Sequence, residues 1–414
     1  MRIVCITLGS RGDVSPFIEV AKELKNRGHE ITIATFAEYE MEILAAGIKF
    51  GKISGNSYEM VDVLLGNNDN STEEGVNGIE YLLHKYSTLY EEFYTACKDK
   101  DVIMYMQFGA LAYHFAEKFN VPVIRTFVFP FDPTKKYYSM KIRPPKNSIL
   151  SYWCYYLCYF FMSYASMKVV NIWRKKLGLG KWNVFKSYRY INRKPILTLY
   201  QYDSLLAERD IKWGKHIYIT GPWIKVSKSC NAVDKKLDNF LRYRKTILYV
   251  GFGSMVFDKM QEIYKKIIYV LIKNKINAIL PKECESIVAS KYKNVRLFYY
   301  TDYIEFDYLI GKVDAFLHHG GCGTVHWCLR NEMPQLIFPF GADQYFWGEQ
   351  CSELGIGPDP INVKKEIDMV SLEERIIDVL KNGAYREKLK MISPLSVKDG
   401  TKRAADIIEK YFGK

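Results

Sequence analysis

Short apolar runs alternate with stretches of helical spacing along most of the chain. The run from Ile3 to Leu8 predicts a strand and ends at Gly9, Ser10, Arg11 and Gly12. After Pro16, the residues Phe17, Val20, Ala21 and Leu24 recur at helical spacing up to "NRGHE", and "ITIAT" follows at once. Strand, glycine-bearing turn, helix and strand open a βαβ unit, which implies a parallel sheet. Val102–Tyr105 and Val121–Phe127 predict further strands, with a helix between them through "LAYHFAEKF". The same grammar restarts at "KTILYVGFGS" (Lys245–Ser254), a strand that ends in a second glycine turn. A helix over about 260–274 follows, then strands at "NAIL", "VRLFYY", "VDAFLH" and "PQLIFP", and a closing helix from about Lys402 to Tyr411. Between the halves, "YITGPWIKVSKSCNAVDKK" is polar and strand-poor after Trp223, as a linker is. The expected organisation is α/β: residues 1–222 as one domain, 223–243 as linker, 244–400 as a second domain and 401–414 as a terminal helix.

One segment departs from this alternation. Ile149 to Met167 carries no charge and reaches the length of a membrane span. Its five Tyr, three Ser and two Cys make it far less apolar than a typical span, and basic residues flank both ends. It reads as a helix that lines a pocket or rests a face on a membrane.

Composition narrows the class without deciding it. A chain of 414 residues suits two domains, and 48% hydrophobic with 25% charged residues is ordinary for a globular protein. Net charge is +13, which favours anionic ligands or surfaces. The lysines are scattered and no RNA- or DNA-binding signature occurs, so nucleic acid is not expected as a partner. Nine cysteines without a CxxC pair suit reduced thiols in a cytosol, and "MRIVCITLGS" lacks the shape of a signal peptide.

The candidate chemistry lies in "AFLHHGGCGTVHWCLRNEMPQLIFPFGADQ", residues 315 to 344. Neither glycine turn matches the dinucleotide pattern G-x-G-x-x-G, and no P-loop occurs. His319 and Cys322 can form half of a zinc site, but no second pair lies nearby, and His326 and Cys328 point to different faces of a helix. A non-metal reading fits better. A buried strand ends at the histidines, and Thr324 opens a helix running to about Asn331. The first amides of that helix carry partial positive charge, and Gly320, Gly321 and Gly323 let a phosphate approach the backbone.

The stretches "HHGGCGT" and "LRNEMPQLIFPFGADQ" resemble the nucleotide-sugar signature of the GT-B glycosyltransferases of family 1. The resemblance is nearest to the branch of sterol glucosyltransferases and bacterial antibiotic and macrolide glycosyltransferases. It extends to "LGSRGDVSPFIEVAKELKNRGHEITIAT", "VNIWRKKLGL" and "YITGPW", in the order that branch has them. The resemblance implies two Rossmann-like domains with parallel sheets facing across a cleft, the first for acceptor and the second for donor, with the final helix crossing back to the first. It implies that His319 contacts the donor diphosphate, with Gly321, Gly323, Thr324 and Ser254 at the same phosphates. Asp343 and Gln344 would hydrogen-bond the sugar hydroxyls; without the resemblance Asp343 reads as a helix cap.

The same resemblance places the general base at Asp13, three residues before Pro16, where many members have His. Its other reading is a cap of the helix near Pro16. The implied activity is inverting, metal-independent transfer of a hexose from a UDP- or dTDP-sugar, without cofactor, to a hydroxyl of a lipophilic acceptor such as a sterol, polyketide, lipid or other natural product. Phe17, Phe127, Phe129, Phe131, Tyr152 and Tyr156 would line the acceptor pocket. The expected location is cytoplasmic, with peripheral contact at the inner face of a membrane. Three positions depart from the pattern: Trp327 stands where plant relatives have a ribose-binding Glu, Glu305 replaces a Pro, and "NAILPKECESI" lacks a base-stacking Trp. Transfer to a lipid-linked envelope precursor and a non-catalytic binding subunit are the alternatives.

Overall fold

The computed structural model describes residues 1–57, 59, 85–138, 148–225, 235–242, 246–253, 255, 259–288, 295–301, 304–341 and 343–413. The chain divides into two compact units, Met1–Ile224 with Asp399–Lys414, and Lys225–Lys398.

In the first unit the chain runs β1 (Arg2–Ile6), α1 (Arg11–Asn26), β2 (Glu30–Phe36), α2 (Glu40–Ala45) and β3 (Lys49–Ile53). It continues through α3 (Leu89–Cys97), β4 (Val102–Met106), α4 (Ala112–Phe119), β5 (Val123–Phe127) and the long α5 (Ile149–Lys176). β6 (Leu197–Tyr200) and β7 (Ile217–Ile219) complete a sheet of order β3-β2-β1-β4-β5-β6-β7. Every pairing in it is parallel. Both faces are covered, which is why β4 and β5 are buried at every position rather than alternating.

The second unit holds α6 (Lys235–Leu241), β8 (Ile247–Gly251), α7 (Met260–Lys273), β9 (Asn277–Pro281), β10 (Leu297–Tyr300) and β11 (Ala315–His318). It goes on with α8 (Cys322–Arg330), β12 (Gln335–Ile337), α9 (Gln344–Leu354), α10 (Met369–Lys381) and α11 (Gly383–Ile392). Its sheet is also parallel, ordered β10-β9-β8-β11-β12. The final helix α12 (Gly400–Phe412) returns to the first unit and packs on α1. Ala404, Ala405 and Ile408 enter the core that holds Phe17 and Trp223. Arg27 at the end of α1 fastens α12 from outside, at 2.6 Å from Asp406 and 2.8 Å from Glu409.

Several boundaries differ from expectation, each for a local reason. α1 begins at Arg11, five residues before Pro16, because Ser10 serves as its cap and Asp13 accepts the Ser10 backbone N–H. α8 begins at Cys322 rather than Thr324, with Gly321 as N-cap. β5 starts after Pro122, whose ring nitrogen has no hydrogen to give a ladder. In each sheet the chain reverses direction once, between β1 and β4 and between β8 and β11. Crevices at the carboxyl ends of strands flanking such a reversal are where open α/β sheets bind ligands.

Candidate functional site

Each reversal point carries one of the predicted chemical groups. In the second unit, Gly251 of β8 pairs with His318 of β11, so the turns that follow the two strands lie side by side. His318 is buried and held at both ring nitrogens: the Gly320 N–H donates to Nδ1 at 3.1 Å, and Nε2 lies 3.0 Å from Gln335 Oε1. A ring that accepts at Nδ1 must carry its proton on Nε2, and burial pushes its pKa down to about 3. His318 is therefore a neutral fixture of the strand end.

His319 is different. Its imidazole lies between two glycines: a Cβ on Gly321 would stand 2.5 Å from Nε2, and one on Gly253 would stand 3.1 Å from Cε1. Nδ1 is buried and has no hydrogen-bond partner among the described residues. Burial lowers the pKa of this ring to about 4, so it is neutral at physiological pH. The ring stands at the start of α8, where the first intrahelical bond runs from Val325 N–H to Gly321 O. The amides of Gly323 and Thr324 have no acceptor within the helix, and together with the aligned peptide dipoles they favour an anion. Gly323 is exposed and Thr324 half-buried. Among the described residues no group of three His, Cys, Asp or Glu is arranged to hold a metal ion.

A third turn closes on this one. Gly320 approaches the backbone of α9 so nearly that a Cβ there would lie 3.2 Å from Gln344 O. Gln344 Oε1 accepts the N–H groups of Phe340 (2.8 Å) and Gly341 (3.2 Å), and Nε2 reaches Met255 Sδ at 3.1 Å, beside the turn after β8. Asp343 Oδ2 accepts the Trp347 indole N–H at 3.0 Å. Both residues expected to meet sugar hydroxyls thus also brace their own segment, and Gln344 is buried. Ser254 lies outside the described residues. Trp327 is buried among Phe306 and Phe316, with its indole N–H on Asp307 at 2.7 Å, so the departure at that position is filled by packing. Glu305, the second departure, pairs with Lys225 at 2.7 Å.

In the first unit Asp13 sits in the first turn of α1, directly after β1. Oδ2 accepts both the backbone N–H (2.8 Å) and the hydroxyl (3.1 Å) of Ser10, and Oδ1 takes no hydrogen bond among the described residues. A Cβ on Gly9 would fall 2.4 Å from Oδ2, so only glycine lets the carboxylate fold back on the turn. No cation pairs with Asp13 among the described residues. Burial raises its pKa to about 6 against the opposing pull of the two Ser10 hydrogen bonds. Ser10 and Met255 are the contributors that sequence reading missed. The S-x-x-D spacing of a helix start was a legible signal for Ser10; Met255 had none.

The aromatic residues assigned to the acceptor divide. Phe127 stacks on Phe131 (4.5 Å), Phe131 meets Tyr159 (5.5 Å), and the run continues through Tyr156 to Tyr152 (5.5 Å) on α5. Phe129 joins it edge-on to Phe131 at 5.7 Å. The loop that carries these rings is anchored by a buried network: Arg125 grips Asp132 at 2.9 and 3.1 Å, and Tyr200 Oη donates to Asp132 at 2.7 Å. Phe17 is not with them. It lies in the core, edge-on to Trp223 at 6.0 Å, and is fully buried, so its place is a packing one.

Residues 3–138 match the glycosyltransferase family 28 N-terminal domain, and residues 269–397 match the C-terminal domain described as erythromycin biosynthesis protein CIII-like. Among curated proteins, the chain is similar to a sterol 3-beta-glucosyltransferase of Debaryomyces hansenii, 29% identical over 379 residues that cover 87% of this chain and 24% of that protein. It is similar to the enzyme of the same description from Komagataella phaffii, 28% identical over 407 residues, 94% of this chain and 33% of that protein. The chain thus spans a quarter to a third of the length of these relatives. Its fold is that of solved antibiotic glycosyltransferases, the GT-B fold. The kitacinnamycin glycotransferase superposes with a TM-score of 0.69 at 18% identity, covering 99% of both chains. The calicheamicin glycosyltransferase gives 0.67 at 18%, covering 100% of this chain and 98% of that one.

Proposed function

We propose that this chain, a family 28-type N-terminal domain followed by an erythromycin CIII-like C-terminal domain on a GT-B fold, is an inverting glycosyltransferase. It transfers a hexose from a UDP- or dTDP-sugar to a hydroxyl of a lipophilic acceptor of the sterol, polyketide or lipid class. The observation that carries the reading is His319: a neutral imidazole with a buried nitrogen that has no partner among the described residues, at a helix N-terminus, at the reversal point of a parallel sheet. An anionic oxygen supplies the missing partner, and a diphosphate fits the adjoining amides of α8.

The chemistry follows from the two groups. The acceptor hydroxyl oxygen attacks the anomeric carbon while Asp13 takes its proton, and the bond from that carbon to the diphosphate oxygen breaks. A carboxylate with a pKa near 6 is a stronger base than an ordinary one and still ionised at pH 7.5. The leaving nucleoside diphosphate gains negative charge, which His319 and the α8 amides stabilise, so no metal or cofactor enters the proposal. Thr324 adds a hydroxyl at the phosphates, while Asp343 and Gln344 orient the sugar from a turn that is already rigid. The similarity to the sterol 3-beta-glucosyltransferases of Debaryomyces hansenii and Komagataella phaffii supports the acceptor class. A cytosolic location suits the buried Cys5, Cys97, Cys284 and Cys351, which stand as thiols.

The test is a thermal-shift panel of UDP-, dTDP- and GDP-sugars on the wild type and His319→Ala, followed by mass spectrometry of reactions with pooled hydroxylated lipophiles. Stabilisation of the wild type alone, and a product heavier by one hexose, are expected. No stabilisation by any nucleotide sugar sinks the reading.

A further inference from the structure

Counted along the whole chain the lysines look scattered, yet the excess of positive charge has one address. Residues 133–202 contain fourteen Lys and Arg and no Asp or Glu, whereas the whole chain has 59 and 46, so the remainder is close to neutral. That segment includes α5, which is apolar on two opposite faces. Tyr155, Val169, Val170 and Trp173 are buried against the first unit. On the other side, Leu150, Trp153, Leu157, Phe161 and Tyr164 follow one another at helical spacing and are 45% to 64% exposed. This outward stripe is about 21 Å long at the rise of an α-helix. Lys168, Ile172 and Lys175 continue it toward the C-terminus, and both lysines are exposed. The loop after the helix is tied back to it, since Asn171 exchanges hydrogen bonds with Trp182 in both directions and Arg174 Nε donates to Gly180 O. That loop presents Phe185, 88% exposed, between the exposed Lys181 and Lys186.

We propose that this outer face of α5 and the adjoining loop are a docking surface for an anionic lipid bilayer. An exposed apolar stripe of this extent marks an interaction surface; the surrounding charge selects the occupant. A second copy docking through the same face would bring two basic rims together, whereas a negatively charged leaflet complements them. Trp and Tyr among aliphatic side chains, with lysines at the edge, is the composition of a helix lying in the interface plane. Among the described residues no helix is long and apolar enough to cross a membrane, so the contact is with one leaflet. This surface goes beyond the transferase reading and does not depend on it.

The test uses the full chain without nucleotide sugar or acceptor, which keeps it independent of transfer. Co-sedimentation is measured with vesicles of phosphatidylcholine alone and of phosphatidylcholine with phosphatidylglycerol, at low and high salt. The protein should partition onto the mixed vesicles, bind phosphatidylcholine alone far more weakly, and release as salt rises. Trp153→Ser with Phe161→Ser should lower partition by roughly tenfold or more, and Lys168→Ala or Lys175→Ala by roughly fivefold each. The replaced side chains are exposed, so unchanged melting temperatures certify folding. Absence of binding to the mixed vesicles overturns the proposal, as does binding that none of these variants alters. A wild-type dimer in light scattering that Trp153→Ser with Phe161→Ser makes monomeric also overturns it, by assigning the face to self-association.

Discussion

Replacing Asp13 by Asn separates what this carboxylate does for the fold from what it does for transfer. Burial holds its pKa near 6 against an ordinary value of 3.8, so the folded chain binds that proton more tightly than the unfolded chain does. A raised folded pKa gives stability that is complete below about pH 4 and lost as pH rises to 6. Two pKa units are an upper bound of about 3 kcal/mol at neutral pH. Half-burial lets water screen the charge, which cuts this to about 1.5 kcal/mol. The helix N-terminus, which favours a negative charge, returns about 0.3–1 kcal/mol. About 0.5–1 kcal/mol of destabilisation is left, so Asn should raise the melting temperature by roughly 1–4 °C at pH 7.5 and leave it unchanged at pH 4. The two Ser10 donors survive the exchange because the Asn carbonyl oxygen can accept them. Transfer should fall by roughly 10²–10⁴. The acid limb of kcat/KM, expected near pH 6 in the wild type, should vanish from the residual activity. Differential scanning fluorimetry at the two pH values and a coupled assay for released nucleoside diphosphate read both halves. A variant that melts lower at pH 7.5 refutes the electrostatic reasoning. Turnover within threefold of wild type removes Asp13 from the role of base, whatever the melting temperature does.

Other substitutions divide donor binding from folding. His319→Ala should weaken UDP or dTDP by roughly 10- to 100-fold in calorimetry, the worth of a hydrogen bond to a charged group, with an unchanged melting temperature. Gly321→Ala should copy that loss without touching the imidazole chemically, because its Cβ would stand 2.5 Å from His319 Nε2; wild-type affinity in this variant means the ring is not held where the diphosphate lands. Gln335→Leu leaves the buried His318 N–H without its acceptor and should cost about 1–3 kcal/mol in denaturant unfolding. Ser10→Ala removes one of the two donors that hold the Asp13 pKa down, so the acid limb of kcat/KM should move to higher pH. A limb that moves to lower pH contradicts the assigned hydrogen bond.

The periodicity of the chain made the sheets legible because a parallel strand covered on both faces reads as a near-continuous apolar run, as β4 and β8 do; β5 breaks the run with Arg125, which is buried and paired with Asp132. Helix starts were less legible. Pro16 looked like the first residue of a helix that in fact begins at Arg11, since Ser10 is its cap and the Asp13 carboxylate, three residues on, accepts the Ser10 N–H. Phe17 shows the limit for pockets: an aromatic beside the turn of the proposed base is read from sequence as a ligand contact, but helical spacing with Val20, Ala21 and Leu24 turns it into the core.

The site was legible where its chemistry sits in one short segment and obscure where it depends on contact between segments. "HHGG" shows two equivalent histidines, yet Gln335, seventeen residues later, satisfies one ring, and two glycines from different turns enclose the other. That division of labour is what leaves the buried Nδ1 of His319 without a partner among the described residues at the mouth of α8. Gln344 makes the same point from the opposite side. Its amide looks free for a sugar in sequence, but three contacts tie it to its own turn and to Met255. A sugar hydroxyl at this turn would therefore meet a donor and acceptor already fixed in direction, and rigidity of that kind favours one sugar configuration over its epimers without adding a contact. Gln344→Glu keeps the acceptor and exchanges the Met255 contact for a charge; it should relax the choice between epimeric donors, measured as a ratio of kcat/KM values, more than it lowers the affinity for the nucleoside diphosphate alone.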